Sequence, residues 1–530
     1  MRRRYLATAA VAVGLVALGL KRASTLPPPK HGRSVPRPPA GVATPLDLAA
    51  RKAARRHPGR SGIHMLSDPH DAFAARMLLV REAQRTLDLQ YYIWHGDRTG
   101  TLLLNAVYAA ARRGVRVRML LDDNGIAGLD RILSGVNRHP NIEVRLFNPF
   151  AIRFPKALGF VFDFKRLNRR MHNKSLTVDG VTTIVGGRNI GDEYFGSGEG
   201  GLYGDMDVLA IGPVVAEVEK DFERYWTSES AYPAEQILRK VNGRTIRKLR
   251  RAAVKVERDP ASAAFMRRIR DLPIVRELVD GTLALEWAPV RLLSDDPAKA
   301  LDRVRPEGLL AGRLEKAIGR PRRKLGIITG YFVPGPQGAR WLAALARHGV
   351  EVSVLTNGYE AGDVSLVHAG YAPSRRTMLE GGVRLFELRA GAARTMNPRD
   401  GVRVGVGSRL RGTGTGSTAA LRSGVTTLHA KTFTVDDRKL FIGSFNLDPR
   451  SWQLNTEMGF VIESPRLARK VAEVFGHHVP LHAYELRLGK EIEWIERGAS
   501  VEVHRREPGM SRVTAAVMGV LRFLPIRWML

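Results

Sequence analysis

The stretch MHNKSLTVDG places His172, Lys174 and Asp179 at the spacing H-x-K-x4-D, and LHAKTFTVDD repeats it with His429, Lys431 and Asp436. An imidazole is both a nucleophile and a proton carrier near neutral pH, and an ammonium two residues away is a cation for the anion it attacks. With 14 histidines in the chain, one accidental match is about a one-in-thirty event and two are about one in a thousand. The surroundings match as well. TTIVGGRNIGDEYF follows the first motif and LFIGSFNLDPRSW the second, aligning Gly186 with Gly443, Gly187 with Ser444 and Asn189 with Asn446. A strand with satisfied polar ends accounts for one motif. Two motifs with matched tails describe a duplicated module.

In HNKSLTVDG the apolar and β-branched residues predict a strand, so His172 and Lys174, two apart, leave one face together. Asp179, an odd number of positions from both, points away and braces the turn that follows. His429, Lys431 and Asp436 repeat the pattern. Two such motifs face to face supply a nucleophile, a general acid and two cations around one anion. That set performs phosphodiester exchange without a metal or cofactor. One imidazole attacks phosphorus and forms a phosphohistidine; the other protonates the leaving alkoxide and then deprotonates the incoming hydroxyl. Lys174 and Lys431 neutralise the phosphoryl oxygens, and Asn189, Asn446 and Ser444 are the candidate phosphate contacts. Gly187 stands where the second repeat has Ser444, so these contacts need not be symmetric. Each imidazole needs a carboxylate on its other nitrogen. Asp205 in YGDMDVLAIG and Glu457 in LNTEMGFVIE follow the motifs at similar distances. The histidines of FGHHVPLH (His477, His478, His482) lack a carboxylate at ligand spacing, and no metal site is assigned.

These residues need a scaffold, and its elements are also duplicated. TLDLQYYIW and KLGIITGYFVP read as buried strands. TLLLNAVYAAARRG and GARWLAALARHG read as helices stopped by glycine. VRVRMLL and VEVSVLT, then IEVRLF and GVRLFEL, read as further strands. Alternating strands and helices predict an α/β fold with mixed, mostly parallel sheets. The boundaries read as a signal or anchor segment with a Pro-rich linker at 1–44, a first domain at 45–235, a helical connector at 236–285, a second domain at 286–508 and an apolar segment at 509–530. The Gly/Ser/Thr-rich run 405–424 reads as a loop leading to His429.

The chain of 530 residues has a formal net charge of +32, which attracts nucleic acid, anionic membrane surfaces and phosphate-rich substrates alike. It has no cysteine, which excludes disulfides, thiol nucleophiles and Fe–S clusters. A basic cluster precedes an apolar run from Tyr5 to Leu20. At ~1.5 Å per residue the run is shorter than a bilayer core, as in a signal sequence or short anchor. The ending VTAAVMGVLRFLPIRWML suits a membrane interface, or a helix closing the domain.

The doubled motif with its G-G/S-x-N tail resembles the phospholipase D superfamily. DFKRLNRRMHNKSLTVDGVTTIVGGRNIGDEYF, DMDVLAIGPVVAEVEKDFERYW and HAGYAPSRRTMLEGGVRLFEL resemble its bacterial cardiolipin synthase branch, nearest the type C enzymes. The resemblance implies two tandem α/β/α domains related by a pseudo-twofold, with the site at their junction. It implies a catalytic set of His172, Lys174, Asp179, His429, Lys431 and Asp436, with His172 as nucleophile. It also implies a phosphatidyltransferase at the bacterial inner membrane, with anionic phospholipid as partner and no nucleic acid. The motifs alone leave two other readings open, a phospholipase D hydrolase and a nuclease of the same superfamily.

Overall fold

The computed structural model describes residues 26–30, 43–197, 201–362, 364–390, 427–498, 500–511 and 514. The N-terminal apolar run, the 405–424 run and most of 509–530 lie outside them. Among the described residues no helix is long and apolar enough to cross a membrane.

Each half builds one large sheet around three parallel strands. In the first half these are Thr86–Ile93, Arg116–Gly125 and Ile142–Phe147. The crossovers are the helices Arg98–Arg112 and Asp130–Val136. Asp97 caps the first, its side chain accepting from the Gly100 N–H. In the second half the parallel strands are Lys324–Thr329, Glu351–Asn357 and Arg384–Leu388. Both sheets then continue through antiparallel neighbours. Ser175–Val178, Thr182–Gly186, Asp207–Ile211 and Ser61–Leu66 extend the first. Lys431–Val435, Lys439–Gly443, Met458–Ile462 and Val290–Ser294 extend the second.

The α/β class and its duplication therefore stand, but the expected parallel majority does not. Consecutive strands run parallel only when a long crossover joins them, and each half has three strands so connected. The motif strands return through tight turns. Asp179 and Gly180 carry φ of 53° and 68°, and Asp436 and Asp437 both 54°. Such turns make antiparallel hairpins.

The handover between halves also differs in detail from the sequence boundaries. Glu286–Ala288 forms the edge strand of the first sheet, and the second sheet begins at Val290. The connector helices Gly243–Arg258, Pro260–Arg270 and Pro273–Val279 pack onto the first half, with Phe265, Ile269 and Ile274 in its core. The halves join through one apolar layer. Ile63, Val185, Val208 and Ala210 of the first sheet meet Leu440, Ile442, Met458 and Phe460 of the second. Burying this layer removes both inner sheet faces from water, which holds the halves in one arrangement.

Candidate active site

His172 and His429 each sit just before a buried strand, Ser175–Val178 and Lys431–Val435. Each backbone reaches across the junction. The His172 N–H donates to the Thr456 carbonyl at 2.9 Å, and the His429 N–H to the Gly204 carbonyl at 2.8 Å. The next residue in each case is the carboxylate that takes the ring. His172 Nδ1 lies 2.9 Å from Glu457 Oε2 and 3.2 Å from the Ser444 carbonyl. His429 Nδ1 lies 2.5 Å from Asp205 Oδ2. Every partner is an acceptor, so each Nδ1 carries the proton and each Nε2 keeps its lone pair. The carboxylates are the two singled out in the sequence, but they act crosswise: each half orients the imidazole of the other.

The lysines face the same space. Lys174 Nζ donates to the His172 carbonyl at 2.5 Å and lies 5.4 Å from the Tyr92 ring centre. Lys431 Nζ donates to the His429 carbonyl. Burial, helped by Lys174 and Lys431, pushes the His172 imidazole well below its usual range. Burial and Lys431 hold His429 down to about 4 against the pull of Asp205. Both rings are neutral at pH 7, and each feels the other motif's lysine, as a shared anion site requires. Burial also lowers Lys174, against the attraction of Glu457.

The two carboxylates differ. Burial raises Glu457 to about 7 despite Lys174 and the Ser444 and Ser451 hydroxyls. Burial also acts on Asp205, but Lys431 and His429 outweigh it and hold the carboxyl below its usual range. An ionised Asp205 therefore favours a proton on His429 more than Glu457 does on His172.

The remaining sequence candidates divide. Ser444 Oγ bonds Glu457 Oε2, and Ser451 Oγ donates to Glu457 Oε1 at 2.8 Å, so both hydroxyls brace the carboxylate. Gly187 explains the missing serine in the first repeat: a Cβ there would lie 2.2 Å from Asp205 Oδ1, in the space the carboxylate fills. Asn189 accepts from the Ile93 N–H at 3.0 Å and donates to the Tyr194 hydroxyl at 2.9 Å. Tyr194 in turn packs edge-on against His429, 5.5 Å between ring centres. The Asn446 backbone N–H lies 3.3 Å from Ser451 Oγ, and its buried Oδ1 has no hydrogen-bond partner among the described residues.

Asp179 and Asp436 lie at the far ends of the motif strands, about 15 Å along from the lysines. Asp179 Oδ1 accepts the Arg85 and Thr86 N–H groups at 2.7 and 2.9 Å, with Gln84 on Oδ2 at 3.1 Å. Asp436 takes the N–H groups of Arg322, Arg323 and Lys324 in the same way. These carboxylates tie the motif hairpin to the neighbouring strand's start, a segment other than the turn expected from spacing. His477, His478 and His482 fall on and between the short helices Val474–His477 and Val479–His482.

A family model described as "Cardiolipin synthase, PLD-like domain" matches residues 78–226 and 314–479. The chain belongs to that phospholipase D-like family. It is 46% identical over 478 residues to cardiolipin synthase C of Escherichia coli (strain K12), covering 90% of this chain and 97% of that protein. It is 24% identical to a cardiolipin synthase of Staphylococcus aureus (strain Mu50), covering 82% and 71%. The crystal structure of phosphatidylserine synthase from Haemophilus influenzae Rd KW20 superposes with a TM-score of 0.53 at 16% identity, covering 89% and 96%, a likeness of fold.

Within this family member, several site residues were not singled out in the sequence. Asp122 accepts the Met171 N–H at 2.8 Å and pairs with Arg170. Asn357 brackets Leu428 with two bonds, 2.8 Å to its N–H and 2.9 Å to its carbonyl. Asn357 ends its parallel strand and Asp122 closes the stretch that pairs with Ile142–Phe147; each fixes the residue before a motif histidine. Their signal was a polar residue closing an apolar run, in MLLDDNG and VLTNG. Arg188, fully buried, holds the Asp205 carbonyl at 2.6 Å. Tyr92 turns to His172, 5.1 Å between centres, while Tyr91 lies in the core and bonds Arg76. Of the YY pair only Tyr91 fills the core, because alternate strand residues face opposite ways.

Proposed function

We propose that this protein is a membrane-associated phosphatidyltransferase that makes cardiolipin through a phosphohistidine, with His172 as nucleophile and His429 as acid and base. The crosswise latch carries the reading: two neutral imidazoles, each fixed by the opposite half's carboxylate, in the field of both lysines. His172 Nε2 attacks the phosphorus of a phospholipid. The N–P bond forms as the P–O bond to the headgroup alcohol breaks, and His429 gives that alkoxide a proton. The glycerol hydroxyl of phosphatidylglycerol then loses its proton to His429 and attacks, and the N–P bond breaks.

The phosphate charge raises the proton affinity of His429 on binding, and ionised Asp205 adds to it, so His429 Nε2 takes a proton from solvent as the lipid binds and holds it for the leaving alkoxide. The ammonium groups of Lys174 and Lys431 stabilise charge on the phosphoryl oxygens. The close identity to a cardiolipin synthase supports phosphatidylglycerol as acceptor.

Labelled phospholipid offered to variants tests the roles. His429→Ala accumulates a covalent adduct, and His172→Ala accumulates none. Label on neither, or on the wrong variant, overturns the assignment. Chromatography of lipid products from the reconstituted chain tests the acceptor: cardiolipin supports transfer, and phosphatidic acid alone shows a hydrolase. Cleavage of single-stranded DNA in place of lipid would establish a nuclease.

A further inference from the structure

The helix Ala157–Leu167 is inside out. A surface helix turns its apolar stripe to the core and its polar face to water. Here Phe154 is 92% exposed, Leu158 43%, Val161 72% and Phe164 40%. Leu158 and Val161, three apart, share one outward face of the helix; Phe154 stands exposed in the turn before it, and Phe164 follows a break in the helical geometry at Asp163. Four of the twelve exposed large hydrophobic side chains among the described residues fall in this short stretch. They form a patch, and a patch calls for a partner in a way that scattered residues do not.

The patch is rigidly mounted beside the catalytic cleft. Its inner side is packed: Phe160 meets Phe150 at 5.3 Å between centres, and a Cβ at Gly159 would lie 3.1 Å from Phe150. At its start, Arg153 and Lys156 pair with buried Asp123. At its end, Asn148 Nδ2 donates to the Arg166 and Arg169 carbonyls at 2.8 and 2.7 Å. The chain then runs through Arg170 and Met171 straight into His172. Arg450 donates to Asn168 from the helix Pro449–Gln453, and that helix exposes Trp452 at 47%. A half-exposed Trp beside an apolar helix is typical of a membrane–water interface.

Charge selects the partner. Residues 149–170 hold six Arg or Lys and one Asp, a formal charge of +5. Asp130 links Arg153 to the helix Asp130–Val136, and that helix packs under Ile246 and Leu249 of Gly243–Arg258. Gly243–Arg258 carries seven Arg or Lys against one Glu. Five of the six cations in 149–170 pair with carboxylates, so the open positive charge comes from exposed Lys165 and from Gly243–Arg258; an apolar face beside that charge suits an anionic lipid surface, where the two attractions add.

We propose that the Ala157–Leu167 helix, with Phe154 and Trp452, is the element that inserts into the headgroup and outer acyl layer of an anionic bilayer. It thereby sets the cleft against lipid. The lipid activity proposed above gives this surface its purpose, but the docking has its own readout. The chain has no cysteine, so one introduced thiol takes an environment-sensitive fluorophore uniquely. In full-length Val161→Cys reconstituted with phosphatidylglycerol–phosphatidylcholine vesicles, the label shifts to the blue, and lipids spin-labelled on the acyl chain quench it by about twofold or more. A label at Val501→Cys, on the edge strand Val501–His504 and 63% exposed, does neither. A label at 161 that stays water-exposed and unquenched overturns the proposal. So does a shift that follows protein concentration in place of vesicle lipid, which assigns the face to a second copy of the chain.

The second arm is turnover. Phe154→Asp with Val161→Asp lowers turnover on phosphatidylglycerol vesicles by about tenfold, and leaves turnover on dispersed short-chain phosphatidylglycerol within about twofold. Equal turnover on both by variant and unaltered chain overturns the proposal. If the unaltered chain makes no cardiolipin from either substrate, the activity reading fails while the label result still decides the docking.

Discussion

Asp205→Asn tests the division of labour between the imidazoles. The residue holds His429 Nδ1 at 2.5 Å, and Lys431 keeps its carboxyl ionised despite burial. The substitution keeps the shape and removes the charge facing the imidazolium that forms when His429 accepts a proton. A hydrogen bond to a charged group is worth about 1.5–3 kcal/mol. Losing about 2–3 kcal/mol of transition-state stabilisation slows a step that needs His429 as acid or base by about 30–150-fold. The loss grows if the new amide turns its NH2 toward Nδ1 and forces the other tautomer.

The effect depends on the leaving group. With a natural phospholipid the first step needs a proton from His429, so phosphohistidine formation slows by that factor. With a p-nitrophenyl ester of the same phosphatidyl group, the leaving phenolate needs no proton. Its release in a rapid-mixing burst then falls by less than about fivefold, while steady turnover stays slow at the second step. Burst amplitude and rate are read by absorbance, and product formation from the natural lipid by radiolabel. Equal losses in the burst with both leaving groups, or none with either, refute the roles given to Asp205 and His429.

Gly187→Ser makes the first repeat match the second, yet its Cβ displaces the Asp205 carboxylate. Activity falls with the Asp205→Asn signature while the thermal midpoint moves little, and unchanged turnover contradicts the packing argument. Asp179→Ala removes the acceptor of three strand N–H groups. Thr86 is buried, Arg85 half-buried and Gln84 exposed enough to bond water, so at about 1–3 kcal/mol per buried group left unpaired, stability drops by about 2–4 kcal/mol in denaturant unfolding. The chemical step in the remaining folded enzyme is preserved, and a loss confined to activity contradicts the structural role. His429 titrates near 6.5 unfolded and at about 4 folded. Between these values the unfolded chain binds the extra proton, so its contribution to stability is present above pH 6.5 and is lost as pH falls toward 4. From pH 7 to 5 this amounts to about 2 kcal/mol, so His429→Gln loses less stability over that interval than the unaltered chain. Parallel losses in both proteins contradict it. Glu457, raised to about 7, acts with the opposite sign and is common to both.

The sequence by itself determined the candidate chemistry. Two copies of one motif, with matched tails, name the imidazoles, the lysines and the pair of carboxylates, because local spacing sets which side chains share a face. The repeated strands and helices are legible for the same reason, since hydrophobic periodicity records local burial. Tertiary structure alone decided who meets whom. His172 and Glu457 are 285 positions apart, and His429 and Asp205 are 224 apart; no spacing rule reaches that far. The crossed pairing follows from the apolar layer that presses the two sheets together. Within the second half, the pairing of Lys439–Gly443 with Met458–Ile462 brings the Ser444 hydroxyl onto Glu457, where it braces the carboxylate. Strand direction was misjudged because periodicity reports which face is buried, and says nothing of which neighbour is paired. The outward helix at 157–167 escaped the sequence altogether: an apolar stripe shows amphipathicity, and only the packed fold shows that it faces away from the core.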